Sequence, residues 1–473
     1  MNSKRVAIIG GGPGGLLTAY LLRKNSHFPC EITIFEASDR LGGKIITNEF
    51  EAAPIRYEAG AAELYDYSAL GHDPLRELID ELGLAVRPMK GRAIILDDHI
   101  LRTPDDLLRE FGENTFGAYQ EFARTARAAI SPTEYYESDW KADDDDPLSR
   151  QSFYESLAQV GDETARRYIE VMIHSDLATE SHLTNARYGL QNFLMNEPEY
   201  MNLYTIVGGI ESLPGALSEQ ISACILLNHR VVRVEKTPGA TYAVSFRHGG
   251  ETRSKEFDFV VTALPNDWIP SITWGGRLLA DAMHRHHIHY EYPAHYLRVS
   301  VLFEKPFWRD LIDESWFVLD SFGGCCVYDE SSRSAAGPYG VLGWLLAGDA
   351  AMSMSNLDNR ALIGAVLDSL PPVLRHGRDY FIEGQVHRWV GAVNGLPGGV
   401  PVIEPELRHQ PEPEQHPEIF VVGDYLFDST LNGVLDSAEL VVDWIIEELE
   451  EGDRPALAAA DFDAGNPTLP GQL

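Results

Sequence analysis

The fold is decided near the N-terminus by the stretch Val6-Ala-Ile-Ile-Gly-Gly-Gly-Pro-Gly-Gly15. Its β-branched start is typical of a buried parallel strand, and the helix-forming residues Leu16 to Lys24 follow the glycines. The run Glu31-Ile-Thr-Ile-Phe-Glu36 predicts a second strand. Strand, glycine turn, helix and strand in this order form one βαβ unit of the Rossmann type.

The glycine turn predicts a dinucleotide site. In the pattern GxGxxG the first glycine permits a tight turn, the second lets a pyrophosphate approach the backbone, and the third lets helix and strand pack closely. The helix N-terminus adds unpaired N–H groups and a positive dipole. Glu36 ends the second strand, where a carboxylate can bind ribose hydroxyls and disfavours the extra phosphate of NADP. The predicted cofactor residues of this unit are Gly10, Gly12, Pro13, Gly14, Gly15 and Glu36.

Composition limits the partners. The 473 residues include 38 Lys and Arg against 72 Asp and Glu, and the net charge of −34 argues against nucleic acid. The negative charge either keeps the protein soluble, for example in an acidic or saline habitat, or attracts a cationic substrate. Both interpretations stay open. No charge-free apolar run reaches about 18 residues, so no membrane span is predicted. Four cysteines without disulfide or metal spacing indicate a reducing compartment, and we expect a cytoplasmic protein.

The segment Glu36-Ala-Ser-Asp-Arg-Leu-Gly-Gly-Lys44 resembles the ExxxRxGG signature of the flavin-containing amine oxidase superfamily. That superfamily includes monoamine, polyamine and L-amino acid oxidases, protoporphyrinogen oxidase and phytoene-desaturase-like enzymes. Arg40 and Lys44 would supply positive charge near a pyrophosphate, and glycines let the backbone come close. The resemblance therefore adds Ala37, Arg40, Gly42, Gly43 and Lys44 to the residues that bind FAD.

Further motifs follow in family order. Glu58-Ala-Gly-Ala-Ala62 resembles the segment that passes the flavin ring, Val207 to Pro214 the GG…LP motif, and Phe259 to Pro265 the apolar strand that ends in proline. Asn228 to Val234 matches the strand whose backbone holds the adenine, at Val231. Phe420 to Ser437 resembles the C-terminal flavin motif, in which an acid binds the ribityl chain and a helix N-terminus stabilises reduced flavin. The FAD residues implied here are Gly60, Ala61, Ala62, Val231, Gly423, Asp424, Gly433 and Val434.

These motifs predict an α/β fold in which a discontinuous Rossmann-type FAD-binding domain carries an inserted α+β substrate domain. We assign residues 1–75, 205–270 and 386–451 to the FAD-binding domain, and 76–204 and 271–385 to the substrate domain. Residues 452–473 are expected to form a flexible tail. The acidic stretch from Asp139 to Pro147 is expected to be a solvated loop.

Three positions depart from the relatives and are the candidate catalytic residues. Arg298 stands where the oxidases usually carry a lysine near the flavin, and its alternative role is to pair with an acid. Trp389 lies near one of the two positions that are aromatic in monoamine oxidases, where Asn394 to Gly398 and Thr430 are not aromatic; it could instead pack in the core. Glu63 replaces an arginine common in L-amino acid oxidases, which favours a cation, unless it is merely an exposed acid.

The histidine-rich stretch from His284 to His289 alternates in a way that predicts a strand, with His287 and His289 on one face. No acid or cysteine set accompanies it, so no metal site is predicted. No cysteine lies near Asn394 to Gly399 either, and FAD is expected to be non-covalent.

The resemblance implies an FAD-dependent oxidase acting on a small amine, and Glu63 together with the net charge favours a cationic one. Hydride transfer from the α-carbon to flavin N5, hydrolysis of the imine and release of hydrogen peroxide would follow. A desaturase or dehydrogenase with another electron acceptor, and a flavin-binding protein without net redox turnover, remain alternatives. The sequence leaves a homodimer open.

Overall fold

The computed structural model describes residues 3–68, 71–137, 146–333, 337–401, 403–427 and 429–453. The expected acidic loop lies outside these ranges except at its end, where Asp146 caps the helix that begins at Pro147. The expected tail also lies outside them, except for residues 452 and 453, which end the last helix.

The strands are, in chain order, β1 (Lys4–Ile9), β2 (Cys30–Phe35), β3 (Thr47–Glu49), β4 (Arg56–Glu58), β5 (Leu64–Asp66), β6 (Val86–Met89), β7 (Ile94–Leu96), β8 (His99–Leu101), β9 (Asn202–Ile206), β10 (Ala223–Leu226), β11 (Arg230–Lys236), β12 (Tyr242–His248), β13 (Glu251–Phe257), β14 (Phe259–Thr262), β15 (Thr273–Trp274), β16 (Pro293–Phe303), β17 (Trp316–Leu319), β18 (Cys325–Asp329), β19 (Gly340–Ala347), β20 (Phe381–Asn394) and β21 (Ile419–Val421).

The α-helices are α1 (Pro13–Asn25), α2 (Pro74–Glu81), α3 (Pro104–Phe111), α4 (Glu113–Ala129), α5 (Pro132–Glu137), α6 (Pro147–Arg150), α7 (Phe153–Leu157), α8 (Glu163–Leu177), α9 (Ala186–Leu194), α10 (Ser212–Gln220), α11 (Arg277–His289), α12 (Gly348–Met354), α13 (Asn359–Asp368), α14 (Pro405–His409) and α15 (Leu431–Asp453).

A five-stranded parallel sheet in the order β10-β2-β1-β14-β21 carries the nucleotide-type fold. Along β1, Val6 and Ile8 pack in one apolar core with α1 and α15, while Ala7 and Ile9 pack in another on the opposite face. Burial of both faces explains why the strand is apolar without alternation. The strands come from separated parts of the chain, which confirms the discontinuous Rossmann-type fold.

A seven-stranded sheet in the order β20-β16-β19-β18-β17-β7-β8 forms the second layer of the molecule. One apolar core packs against this sheet from the side of α12 and α13. A second apolar core packs between strands β7, β8 and β17 and the helices α4, α8 and α9. The domain boundary predicted at 385–386 falls inside β20, which pairs with β16 from Phe381 to Asn394. This strand enters from the substrate side and ends at the cofactor side.

One local prediction is wrong. The stretch from His284 to His289 is helical and ends α11, because Leu279, Met283 and His286 are buried at helical spacing and extend the period of three to four through the histidines. The segment from Ala223 to Val234 forms two strands in different sheets, β10 and β11. A turn at Asn228, with φ of +59°, separates them.

Candidate active site

The glycine turn builds an open cradle at the start of α1. A Cβ at Gly10 would lie 2.3 Å from the carbonyl oxygen of Ala263, and a Cβ at Gly15 would lie 2.0 Å from the carbonyl oxygen of Gly10. Both positions therefore exclude a side chain. At Gly12 the nearest atom would be Gly43 Cα at 3.7 Å, which leaves space. The N–H groups of Gly12 and Gly14 donate no hydrogen bond within the described residues. Free N–H groups beside open space fit a phosphate at a helix N-terminus.

The carboxylate of Glu36 lies beside this cradle. It accepts hydrogen bonds from the N–H groups of Gly11 and Ser38, each at 2.8 Å, and so ties the end of β2 to the glycine turn. Ala37 follows it on the surface. The position is the one at which GxGxxG folds bind a ribose.

Arg40 supports the second glycine segment. Its guanidinium donates to the carbonyl groups of Leu41 (2.9 Å), Ile45 (3.2 Å) and Gly43, and thereby holds the loop from within. Gly42 and Gly43 have φ of +101° and +54°, which side chains rarely adopt. The loop faces Gly12 closely enough to close one side of the cradle.

Lys44 joins three of the predicted motifs. Its Nζ donates to Asp424 Oδ2 at 2.6 Å and to the Ala392 carbonyl at 2.8 Å. A Cβ at Gly60 would lie 1.9 Å from the Lys44 carbonyl oxygen, so the segment Gly60-Ala61-Ala62 also passes close by. These segments and the start of α15 enclose a cavity of about 190 Å³, which we call the cofactor cavity. The predicted FAD residues on it are Pro13, Lys44, Gly60, Ala61, Ala62, Asp424 and Val434.

The remaining predicted FAD residues lie near this cavity or farther along the sheet. Gly423 donates from its N–H to Ser437 Oγ at 3.1 Å, and Gly433 donates to Thr430 Oγ1 at 3.1 Å in the first turn of α15. Val231 is buried in β11, at an irregularity in the pairing with β12. It does not line the cofactor cavity.

Arg298 is buried in β16 and lines the cofactor cavity. It donates to the carboxylate of Glu330 and lies 4.8 Å from the centre of the Tyr328 ring. Glu330 also lies 3.0 Å from Arg333, whose guanidinium is 3.9 Å from Glu58. The acid pairing considered for Arg298 is therefore present, within a buried network of four charged groups. Burial raises the pKa of Glu58 to about 7, although Arg333 opposes the shift.

Glu63 lines both the cofactor cavity and a larger cavity beyond it. Its Oε2 is buried without a hydrogen-bond partner among the described residues. Burial raises its pKa, while a hydrogen bond with Tyr328 and the charges of Arg298 and Arg333 act in the opposite direction. The alternative that Glu63 is an exposed surface acid is wrong, because its carboxyl group faces enclosed space.

Asp176, on α8, is a cavity residue that the sequence reasoning missed. It lines the larger cavity and a small one of about 70 Å³ next to the cofactor cavity. Burial, and then the nearby Glu63, raise its pKa well above the ordinary value. No salt bridge to Asp176 occurs within the described ranges. Its place on an otherwise buried helix face, four residues after Met172, was the available signal.

Aromatic rings line both the cofactor cavity and the small cavity. Tyr65 and Tyr296 lie on both, and neither belongs to a motif that could be recognised in the sequence. Trp389 lines the cofactor cavity, and its Nε1 donates to the Ala59 carbonyl at 2.7 Å, which fixes the ring. Asn394 and Thr430 also line the small cavity. Such rings can enclose the apolar part of an amine and attract its charge.

The described part of the chain holds no group of three or more His, Cys, Asp or Glu side chains that could bind a metal ion. None of its helices is long and apolar enough to cross a membrane.

Known proteins resemble the chain over most of its length. The L-amino acid oxidase of Cerastes cerastes is 23% identical over 492 residues, which span 92% of this chain and 86% of the relative. An L-amino-acid oxidase of Bothrops moojeni is 26% identical over 295 residues, or 55% of this chain and 52% of the relative.

Solved structures share the fold at low identity. Wild-type putrescine oxidase bound to putrescine has a TM-score of 0.68 and 20% identity, over 94% of this chain and 99% of that chain. The cyclohexylamine oxidase of Brevibacterium oxydans IH-35A has a TM-score of 0.69 and 18% identity, over 95% and 100%. A putative protoporphyrinogen oxidase of Exiguobacterium has a TM-score of 0.67 and 18% identity, over the same shares.

The family model of the flavin containing amine oxidoreductases matches residues 13–446, from the first turn of α1 into the last helix. This range includes the flavin motifs whose resemblance the sequence suggested and the strands and helices that enclose the cofactor cavity. The chain therefore belongs to the flavin-containing amine oxidoreductases and is an oxidoreductase of that family.

Proposed function

We propose that the protein binds FAD non-covalently and oxidises the C–N bond of a cationic amine. The observation that carries this proposal is the lining of the two adjoining cavities beside the flavin motifs. Glu63 and Asp176 place two carboxyl groups there, and Tyr65, Tyr296 and Trp389 supply aromatic walls. A protonated amine matches both features, since carboxylates and ring faces attract cations.

The cradle residues would hold FAD. The free N–H groups at Gly12 and Gly14 suit its pyrophosphate, Glu36 suits a ribose, and Lys44 with Asp424 suits the ribityl hydroxyls. We assign the adenine to the backbone at Val231 and the flavin edge to the start of α15, at Gly433 and Val434. None of the described residues that line the cofactor cavity is a cysteine, in keeping with non-covalent binding.

Glu63 and Asp176 would bind the charged amine and accept its proton. An amine in water is protonated at neutral pH and must lose a proton before its lone pair can assist release of hydride from the α-carbon. Glu63 Oε2, which has no partner among the described residues, can accept that proton, and Asp176 can hold the charge before transfer. When bound, FAD supplies the hydride acceptor and the route of electrons to oxygen. The resulting imine is hydrolysed by water.

Arg298 favours a second candidate, a dehydrogenase that passes its electrons to an acceptor other than oxygen. Arginine stays protonated and cannot act as a base, and Glu330 fixes its guanidinium. The function usually given to a lysine at this place therefore has no equivalent side chain. The two candidates share the amine and the cofactor, and differ only in what reoxidises the reduced flavin.

The test is anaerobic mixing of purified protein with amines, amino acids and polyamines. Loss of the absorbance bands at about 375 and 450 nm, which belong to oxidised flavin, identifies a substrate. Subsequent mixing with air separates the two candidates, because the oxidase regains its bands rapidly and the dehydrogenase slowly. Bands that persist with every amine would contradict amine oxidation.

Two variants test the acids directly. Asp176→Asn and Glu63→Gln should each lower kcat/KM for a cationic amine about 10- to 150-fold, the value of one hydrogen bond to a charged group. The exposed Asp281 provides the control, Asp281→Asn, which should leave kcat/KM unchanged. Equal activity in all three variants would remove the acids from the proposal.

The cytoplasmic location and a homodimer stay predictions. Within the described residues the four cysteines, Cys30, Cys224, Cys325 and Cys326, form no disulfide. Sedimentation of the purified protein would measure the oligomeric state, and cell fractionation the location.

A further inference from the structure

A larger cavity begins at Glu63 and extends away from the flavin motifs. We call it the distal chamber; its volume is about 630 Å³, which lies within the range of small-molecule sites. Glu63 lies on both the distal chamber and the cofactor cavity, and Asp176 and Met195 lie on both the chamber and the small aromatic cavity. An amine held by the two acids would therefore have its remaining atoms directed along this chamber.

The inner wall of the distal chamber is apolar and adaptable. It contains four of the eight methionines of the chain. Methionine side chains are flexible and polarisable, so they fill gaps around apolar groups of irregular shape. The apolar wall residues are Met89, Met172, Met195, Met201, Leu203 and Trp316.

The mouth of the distal chamber is basic. Lys90, Arg92 and Arg102 line it, all three are exposed, and none forms a salt bridge within the described ranges. Arg102 donates one hydrogen bond to the Leu311 carbonyl, which leaves its charge uncompensated. Three basic side chains at one opening contrast with a chain that has 38 bases against 72 acids.

Two acids share this mouth and reduce its positive charge. Glu314 Oε2 accepts hydrogen bonds from the backbone N–H groups of Arg92 and Ala93, the latter at 2.9 Å. It is thus occupied by the backbone of the loop on which Arg92 lies. Its negative charge remains, and Asp313, which is exposed, adds a second, so three cations face two acids at this mouth. Removing Asp313 should therefore act in the opposite direction to removing a cation.

We propose that the distal chamber binds the remote part of the amine substrate, an apolar chain or ring system that ends in an anionic group such as a carboxylate. This inference rests on the proposed amine oxidation for the inner end of the substrate. Acids at the inner end and cations at the mouth complement a molecule with an ammonium at one end and an anion at the other. The same cations repel a second ammonium, so a diamine is selected against.

Three probes with eight carbons each test the charge at the far end: octylamine, 8-aminooctanoate and 1,8-diaminooctane. We expect kcat/KM to be highest for 8-aminooctanoate and lowest for the diamine. The triple variant Lys90→Gln, Arg92→Gln, Arg102→Gln should lower the value for 8-aminooctanoate about tenfold, since exposed ion pairs are individually weak. It should leave octylamine unchanged, and salt should weaken the preference in the parent protein.

Two single variants provide matched controls. Asp313→Asn should raise the preference for 8-aminooctanoate over octylamine, because it removes one of the two opposing acids from the mouth. Arg285→Gln removes an exposed cation that does not line the chamber and should change neither value. Equal kcat/KM for octylamine and 8-aminooctanoate, or a preference for the diamine, would overturn the chamber proposal while amine oxidation stands.

Calorimetric titration with octanoate, which contains no amine to oxidise, tests binding in the distal chamber independently of amine oxidation. We expect the holoenzyme to bind octanoate, and the triple variant to bind it about tenfold more weakly. Octanoate binding that depends on the three cations, together with bands that no amine bleaches, would support the chamber and refute amine oxidation. Octanoate binding of equal strength in the triple variant would refute the role of the basic mouth.

Discussion

The substitution Gly12→Val should empty the protein of flavin and leave its fold intact. Gly12 has φ of −77° and ψ of −175°, which any L-residue adopts. Its Cβ would meet no described atom closer than Gly43 Cα at 3.7 Å, an ordinary contact. Valine therefore fits the protein, but its side chain fills the space through which a phosphate must approach the N–H groups of α1.

The size of the effect follows from the hydrogen bonds that would be lost. Each bond from a backbone N–H to a charged group contributes about 1.5–3 kcal/mol. Losing those of Gly12 and Gly14 would cost roughly 3–6 kcal/mol, which is about 10²- to 10⁴-fold in FAD affinity. Replacing a glycine in a permitted conformation changes the free energy of unfolding by only about 1 kcal/mol or less.

Gly15→Ala is the matched control, because its geometry predicts a loss of folding stability rather than a specific loss of FAD binding. A Cβ at Gly15 would lie 2.0 Å from the Gly10 carbonyl oxygen, so the backbone of the turn must move. We expect overpacking to cost about 1–3 kcal/mol or more of the free energy of unfolding. Its flavin content should fall only in proportion to the loss of folded protein.

The assay compares the ratio of flavin to protein absorbance with urea unfolding of the same apoprotein samples. Gly12→Val should be colourless, bind added FAD weakly and unfold at nearly the parental urea concentration. A yellow, fully loaded Gly12→Val protein would refute the assignment of the cradle. A Gly12→Val protein as unstable as Gly15→Ala would refute the inference that the space beside Gly12 is reserved for a ligand.

Two further predictions concern the buried charge network. Because the pKa of Glu58 is about 7 in the folded protein and 4.5 ordinarily, the folded state binds the extra proton, and the unfolding free energy should fall by about 3 kcal/mol as pH rises between these values. Glu58→Gln should flatten this slope in urea titrations, whereas the exposed-site variant Glu51→Gln should keep it; an unchanged slope in Glu58→Gln would contradict the shift. Arg298→Met leaves Glu330 with Arg333 as its one basic partner among the described residues and should lower the free energy of unfolding by about 3–5 kcal/mol. The control Arg285→Met should cause no measurable change in the free energy of unfolding. A loss below about 1 kcal/mol in Arg298→Met would mean that the pair of Arg298 and Glu330 contributes little to stability.

The cofactor cradle could be predicted from the sequence because its determinants are local. Gly10, Gly12 and Gly15 act through backbone geometry within one turn, and Glu36 follows at a distance fixed by one helix and one strand. Lys44 and Asp424 are 380 positions apart, yet each lies in a motif that the family resemblance identifies. Their proximity in space could therefore be predicted from the family motifs, although it could not be worked out from the sequence alone.

The substrate side could not be predicted in the same way. Asp176 comes from α8, Tyr296 from β16 and Tyr65 from β5, and only tertiary packing brings them to one cavity. No pattern of spacing marks such a set. The histidine stretch shows the converse error, since a short local alternation suggested a strand while the buried residues from Leu279 to His286 maintain a helical period.

The cavity charge bears on the two readings of the net charge of −34. Charges on the surface are screened within about 8–10 Å in physiological salt, so they say little about an enclosed site. Within it, Lys44 pairs with Asp424 and Arg298 pairs with Glu330, and each pair is nearly neutral. Asp176 has no ion-pair partner among the described residues, and burial raises the pKa of its carboxyl group, so a bound cation would stabilise the ionised form that the chain itself leaves unpaired. The preference for a cationic amine then follows from one buried carboxyl group, and the surface acids are free to serve solubility.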